Sequence, residues 1–404
     1  MMQSTPGQNL ARRCQCCLKV AWKLFIPISV VGLTILTING YCFYNECIPK
    51  IALPVALAYP PPPKGNEGAS NDTAEKREWW QEALCQSRAD DDEALMIRLP
   101  MLARDVEPDR KDYNIYLGET GCNPRPLFRV WCSVESYAQQ NPGAKVWFLM
   151  AAPTLDDSDR LVARLRAHYG NLRVVGVDLD RMFAGTPVEE IFTSGNWTRN
   201  TRWPANNLSN LLRNVLLWQW GGFNSDTDCL CVRSIENLRN VIAYDEKRQV
   251  VNNAIMHFDA QHDYVGAMME YHRLNFKTNV WHTNGPGTAT ATAMRLCKTE
   301  NLNELLHRKC AALTLLPLKK LQFYRFDAWK RYFEPGAGTD FLKRTFNALC
   351  LRCQKHGEVY VLHLYNKMSV KEPVRVGSRS IYDSTARKVC PVTYAAAGGR
   401  SDFF

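Results

Sequence analysis

One stretch constrains this chain before any other. Between Lys23 and Glu46 lie 22 residues without a charge, among them Leu24, Phe25, Ile26, Ile28, Val30, Val31, Leu33, Ile35, Leu36, Ile38 and Phe43. As a helix the run spans about 33 Å, enough to cross the hydrocarbon layer of a bilayer. Arg12, Arg13, Lys19 and Lys23 precede it with no acid among them, so residues 1–23 are expected to stay cytosolic and the remainder to face a lumen. A cleaved signal peptide is the alternative, but the run is long for one and no small-x-small site follows it promptly. Residues 24–45 therefore read as a transmembrane signal anchor, and either reading sends the bulk of the chain into the secretory pathway.

Residues 46–110 read as a stem, with Pro49, Pro54 and Pro60 to Pro63 followed by a polar stretch from Lys64 to Thr73. The proline-rich part cannot bury a core and behaves as a spacer. Residues 111–404 remain for one luminal domain. Of the 404 residues, 46% are apolar and 22% charged, which excludes wholesale disorder and a coiled coil. A mean hydropathy of -0.31 excludes a multi-span membrane protein. The net charge of +10 is built from mixed charges with no long basic run, so no nucleic-acid partner is expected.

Asn71, Asn196 and Asn207 each open an N-glycosylation sequon. Cys14, Cys16 and Cys17 lie in the cytosolic tail, within reach of palmitoylation. Cys42 and Cys47 flank the membrane edge, and ten more cysteines follow. An even number in an oxidising compartment suggests disulfides. Cys350 and Cys353 form a lone CxxC, which lacks the second pair a zinc site needs.

Within the luminal part, Asn114 to Leu117, Lys145 to Met150 and Leu172 to Val177 read as strands, and Asp156 to Tyr169 as a helix between the last two. Strand, helix, strand with short links argues for a parallel sheet of βαβ units, which binds ligands at the carboxyl ends of its strands. Neither a GxGxxG nor a Walker loop is present. From Asn207 onward, Leu208, Leu211, Leu212, Val215 and Leu216 form a helical apolar stripe, with Asn207 or Ser209 as the cap and Gly221-Gly222 as the stop. Asp226 and Asp228 follow, one residue apart, just before the apolar run Cys229 to Val232. In extended chain such side chains point to one side. Two carboxylates so held suit a hard divalent cation, and such a cation can neutralise a diphosphate. A turn with solvated aspartates is the plain alternative.

The segment from Leu208 to Asp228, with Arg213, Trp218, Gly221, Gly222 and Asp226-Thr227-Asp228, resembles the α-1,4-glycosyltransferases. Further blocks follow that family in order: Ile115 to Thr120, Cys132 to Ser136, Asp178-Leu179 with Phe183 and Thr186-Pro187, Asn252 with Ala254 and Phe258, and Trp281 with Gly285-Pro286. Phe323-Tyr324, Trp329 to Phe333, His363 to Lys367 with Ser369, and Cys390 to Thr393 complete the series. The resemblance implies a GT-A-like α/β nucleotide-sugar-binding fold with a mixed, mainly parallel sheet flanked by helices. It implies a Golgi type II membrane enzyme that uses Mn²⁺. Such an enzyme would move galactose or an N-acetylhexosamine, with retention, from UDP-galactose or a UDP-N-acetylhexosamine to a glycan, preferably a glycosphingolipid head group.

On that likeness Asp228 would ligate the metal directly, Asp226 would reach the ribose or the metal through water, and His363 would complete the site. Taken alone, His363 reads more readily as a hydrogen-bonded core histidine. Arg213, Asn210, Asn224 and Glu119 would line the donor pocket, and Asp226, Asp228 and Arg213 would carry the catalysis. Cys297 and Cys310 would form a disulfide. The chain departs from the family at Asn210 (usually Asp), Asn224-Ser225 (usually Tyr-Leu), Asn253 (usually Gly) and Tyr365 (usually Trp). A weakly active or inactive lectin-like paralogue, serving as a binding or complex subunit, is the second reading.

Overall fold

A computed structural model describes residues 79–85, 95–346, 359–400 and 404. The uncharged run, the cytosolic tail, the proline-rich part of the stem, the Asn71 sequon and the Cys350/Cys353 pair lie outside them. Among the described residues no helix is long and apolar enough to cross a membrane.

The central sheet has eight strands: β2 (Met101–Leu102), β3 (Asn114–Glu119), β4 (Lys145–Met150), β6 (Leu172–Val177), β7 (Gly222–Ser225), β9 (Val241–Asp245), β10 (Val250–Phe258) and β11 (Thr314–Pro317). Their order is β11-β9-β10-β7-β3-β4-β6-β2. Strands β2, β6, β4, β3 and β7 run parallel, β10 lies antiparallel to both β7 and β9, and β11 is parallel to β9. A short β1 (Met96–Arg98) pairs with β5 (Thr154–Asp156), and β8 (Cys229–Cys231) pairs with β12 (Val361–His363).

The central strands read as unbroken apolar runs because both faces of the sheet are covered. Side chains alternate between two cores. Ile115, Leu117, Val146, Phe148 and Met150 face Trp131, Val134 and Tyr137 of the Phe128–Gln140 helix. Tyr116, Trp147 and Leu149 share the other core with Leu208, Leu211, Val215 and Leu217 of the Pro204–Trp220 helix. Each fully buried leucine contributes about 1.5–3 kcal/mol.

Three expectations need correction. The stem is shorter than 46–110: Trp80 is buried in the core of the sheet, β2 belongs to the central sheet, and Cys85 is bonded to Cys122. The helix expected over 156–169 is confined to Leu161–His168. Thr154–Asp156 is drawn into β5, and Asp157 accepts from the amides of Val162 and Ala163 at the helix start, at 2.9 and 3.2 Å. The helix before the acidic pair begins at Pro204, where a missing N–H costs nothing. Asn207 and Ser209 therefore lie inside it rather than capping it.

Its end is set by two glycines. Gly221 has φ 68° and Gly222 φ 119°. A Cβ on Gly221 would lie 2.5 Å from the Ala260 nitrogen, and one on Gly222 2.4 Å from the Asn114 carbonyl oxygen. Only glycine allows both the positive φ and this approach to β3 and to the chain just after β10.

Candidate functional site

Strand β7 starts at this Gly-Gly turn and runs beside β3, with Tyr116 opposite Asn224 and Leu117 opposite Ser225. It ends at Ser225, and residues 226–228 turn the chain out of the central sheet into β8. The acidic pair therefore sits on a turn, not in extended chain, and the two carboxylates reach different partners. Asp226 is fixed by its own amide, which donates to the Ala254 carbonyl at 2.9 Å.

Arg213 lies two turns into the helix that precedes β7 and is 3% exposed, while the Asp226 side chain is 31% exposed. Arg213 Nη2 stands 2.8 Å from Asp226 Oδ1. The same guanidinium donates to the Asn253 carbonyl at 2.6 Å, the Ser209 hydroxyl at 2.7 Å and the Ser209 carbonyl at 3.1 Å. Partial burial raises the Asp226 carboxyl above its ordinary range against the pull of Arg213, and the neighbouring Asp228 adds to the rise.

His363 comes from a distant part of the sequence. Strand β12 pairs antiparallel with β8 and sets His363 opposite Cys229, the residue after Asp228. His363 Nε2 lies 3.3 Å from Asp228 Oδ1. The other oxygen of Asp228 accepts from the Asn366 amide at 2.6 Å, and the Leu364 amide donates to the Asp228 carbonyl at 2.9 Å. Burial alone would raise Asp228, but His363 and the Asn366 amide hold it below its ordinary value. Burial works against the charge on His363 too, and Asp228 outweighs it, so His363 is raised.

These atoms fit a divalent cation. Adjacent ligands on an octahedral ion with bonds of about 2.1 Å lie about 3 Å apart, close to the Asp228–His363 separation. His363 Nδ1 is buried without a partner, so no second hydrogen bond commits the ring to the protonated form. The Asn366 amide orients the carboxylate from behind. Cys229 lies in the same cluster, its Sγ 3.7 Å from Asp228 Oδ1. Burial pushes its thiol well above the ordinary range, and the thiol donates to Asp228. Sequence reasoning missed this role; the only signal was its position beside Asp228.

The other expected donor residues sit deeper. Asn210 accepts from Asn253 Nδ2 at 3.0 Å and donates to Asn206 at 3.3 Å. Asn224 is buried at mid-strand between β3 and β10. Both lie beneath the turn rather than open at its surface. Glu119 ends β3 at the same edge, but its carboxylate accepts from the amides of Gly121 at 3.0 Å and Asn123 at 2.8 Å, so it organises its own turn. Burial raises it. Tyr365 packs against His363 at 4.2 Å between ring centroids. Its hydroxyl donates to the Tyr324 carbonyl at 2.8 Å.

Asn207 is a correction: it is 4% exposed inside the helix, donates to the Trp197 carbonyl at 3.1 Å and accepts from Asn284 at 3.2 Å. No glycan fits there. Asn196 is exposed. Disulfides join Cys85–Cys122, Cys132–Cys390 and Cys297–Cys310, while Cys229 and Cys231 are free and buried. Pairing by an even count fails for these two because they are adjacent inward positions on one short strand.

Residues 128–247 match the family described as glycosyltransferase sugar-binding region containing DXD motif, and residues 257–397 that described as alpha 1,4-glycosyltransferase conserved region. The acidic pair falls in the first region and His363 in the second. The chain is 27% identical over 288 residues to lactosylceramide 4-alpha-galactosyltransferase of Homo sapiens, covering 70% of this chain and 77% of that one. It is 28% identical over 288 residues to the Gorilla gorilla gorilla protein of the same name, covering 70% and 83%. It is 26% identical over 282 residues to alpha-1,4-N-acetylglucosaminyltransferase of Homo sapiens, covering 68% and 78%. Among solved structures, PaToxG glycosyltransferase aligns at 16% identity with a TM-score of 0.38, covering 48% of this chain and 74% of that one.

Proposed function

We infer that this chain, a glycosyltransferase carrying both the DXD sugar-binding region and the α-1,4-glycosyltransferase conserved region, moves a hexose from a UDP-sugar in α-1,4 linkage onto a glycan. The finer reading is galactose or an N-acetylhexosamine delivered, with retention, to a glycosphingolipid. It includes Mn²⁺ as the cation and a Golgi type II anchor formed by residues 24–45. The carrying observation is the Asp228–His363 pair, 3.3 Å apart, built by pairing β8 with β12 at the carboxyl edge of the sheet.

The chemistry explains why such a pair is needed. Breaking the sugar–phosphate bond leaves negative charge on the nucleotide. A bound divalent cation supplies the positive charge that stabilises it. Asp228 and His363 would hold that cation, with the Asn366 amide keeping the carboxylate in position. Arg213, through Asp226, fixes the turn and adds a buried positive charge behind it.

The test is a screen of UDP-galactose, UDP-N-acetylglucosamine and UDP-N-acetylgalactosamine with lactosylceramide and free lactosides, using full-length protein in detergent with and without Mn²⁺. Transfer by the parent and a loss of about 100-fold or more in Asp228→Ala, with normal yield of folded protein, is the expected result. Undiminished turnover in that variant would overturn the metal assignment.

A further inference from the structure

We propose that Trp203, Trp281 and Lys367 form the subsite that receives the acceptor sugar, by stacking a pyranose ring on an indole face beside the acidic turn. The proposal rests on the transferase reading above and assigns a place to its second substrate. Trp203 precedes the helix that carries Asn210 and Arg213. Trp281 precedes the tight turn Thr283–Gly287. Lys367 is the residue after Asn366, whose amide holds Asp228. Three separate segments thus meet at one spot.

The two indoles stand edge to face, 5.1 Å between ring centroids. The Lys367 ammonium lies 3.5 Å above the Trp281 ring and 5.3 Å from that of Trp203. Among the described residues no carboxylate pairs with this ammonium, and neither indole N–H has a protein partner. Both tryptophans are half-buried, and Lys367 is exposed. A tryptophan pair left partly in water, with unused N–H donors and a cation resting on one face, is costly for a surface that does nothing. Val280 and Met368, the immediate neighbours of Trp281 and Lys367, are exposed as well, so the platform opens outward.

Position separates this platform from the nucleotide end. Asn206, Asn210 and Arg213 recur at helical spacing on one face of the helix that Trp203 precedes. Ten residues at 1.5 Å rise place Trp203 about 15 Å from Arg213, the length of a short oligosaccharide. Arg213 and Asp226 mark one end, and the indoles with the Lys367 ammonium mark the other. A pyranose with one continuous C–H face, such as terminal galactose, matches an indole face. Its hydroxyls match the Lys367 ammonium and the N–H at the edge of the indole on which it does not stack.

The test compares full-length wild type with Trp281→Ala, Trp281→Phe and Lys367→Met, measuring steady-state transfer to methyl β-lactoside and direct lactoside binding by saturation-transfer NMR. Trp281→Ala is expected to raise the acceptor KM at least tenfold while the UDP-sugar KM moves less than twofold. Trp281→Phe, which keeps a ring and reports on folding, should retain most of the affinity, and Lys367→Met should lose several-fold. A larger change in UDP-sugar KM than in acceptor KM would hand the platform to the nucleotide and overturn the proposal, as would an acceptor KM that does not move. If the parent transfers nothing, the functional reading fails; lactoside binding lost in Trp281→Ala would still uphold the subsite, and no lactoside binding by the parent would remove it.

Discussion

Arg213 is a buried cation whose donors all end on oxygen: the Asp226 carboxylate, the Asn253 carbonyl and both oxygens of Ser209. Replacing it with methionine leaves the carboxylate and the Asn253 carbonyl without their partner. Breaking a buried ion pair costs about 3–5 kcal/mol, and the partial exposure of Asp226 places Arg213→Met near the lower end. Urea unfolding should show that loss together with impaired turnover; a variant as stable as the parent would mean that the turn is held by other contacts. Two buried histidines set a second expectation at this scale. His257 accepts from the Asn240 amide through Nδ1, and His272 faces the Asn284 carbonyl through Nε2. Burial lowers both to about 4. The unfolded chain takes up these protons near the ordinary value of about 6.5, and the folded chain resists until about 4. Stability is therefore intact above 6.5, falls as pH drops from 6.5 towards 4, and is lost no further below that by these groups. At pH 4.5 each histidine accounts for about 2–3 kcal/mol. Denaturant titrations at pH 7 and pH 4.5 should show a smaller acid loss in His257→Gln and His272→Gln than in the parent; equal losses would remove the attribution.

The elements that position the site differ in how plainly the residues announce them. Strands β3, β4 and β6 are visible as apolar runs because each packs on both faces, and the Pro204–Trp220 helix is visible as a stripe of leucines. Both signals are local. The turn holding Asp226 and Asp228 is less plain: the pair looks like the start of a strand, yet β7 and β8 belong to different sheets. Nothing near residue 228 announces that residue 363 will lie across from it, since the β8–β12 register is set by packing among Leu230, Val232, Leu362, Tyr332 and Tyr382. Only the likeness to a family pointed to His363. The buried cores of Asn207 and Asn210 were hidden for the opposite reason. Polar residues on a helix normally mark its wet face, but here Asn207 bonds Asn284 and Asn210 bonds Asn253, so amide pairs replace apolar contacts. The departure at Tyr365 has a local account: its hydroxyl reaches the Tyr324 carbonyl, an anchor that a phenol supplies at that point.

Across the whole molecule, the first and last parts of the domain are clamped together beneath the site. Cys132, in the helix after β3, is bonded to Cys390, with a separation of 258 residues. One turn along that helix from Cys132, Glu135 accepts from the amides of Val392 and Thr393 at 2.9 and 2.8 Å, at the start of the Pro391–Arg400 helix. Arg129, on the same helix, donates to the Ser369 carbonyl at 2.7 Å and also to the Glu372 carbonyl. Ser369 ends the short helix that begins with Asn366 and Lys367. One helix thus holds the C-terminal segments and, through Arg129, the segment that orients Asp228. Loop-closure entropy grows with the span a bond closes, so removing Cys132–Cys390 should cost about 5 kcal/mol, against about 3 kcal/mol for Cys297–Cys310, whose separation is 13 residues. Denaturant midpoints of Cys132→Ala/Cys390→Ala and Cys297→Ala/Cys310→Ala, taken without reductant, should fall in that order. The first double variant should also need more divalent cation for half-maximal transfer, because the backbone behind Asp228 loses part of its support, whereas the second should not. The reverse order of midpoints, or an unchanged metal requirement in the first variant, would mean that the clamp stabilises only its own neighbourhood and that β8 and β12 hold the site without it.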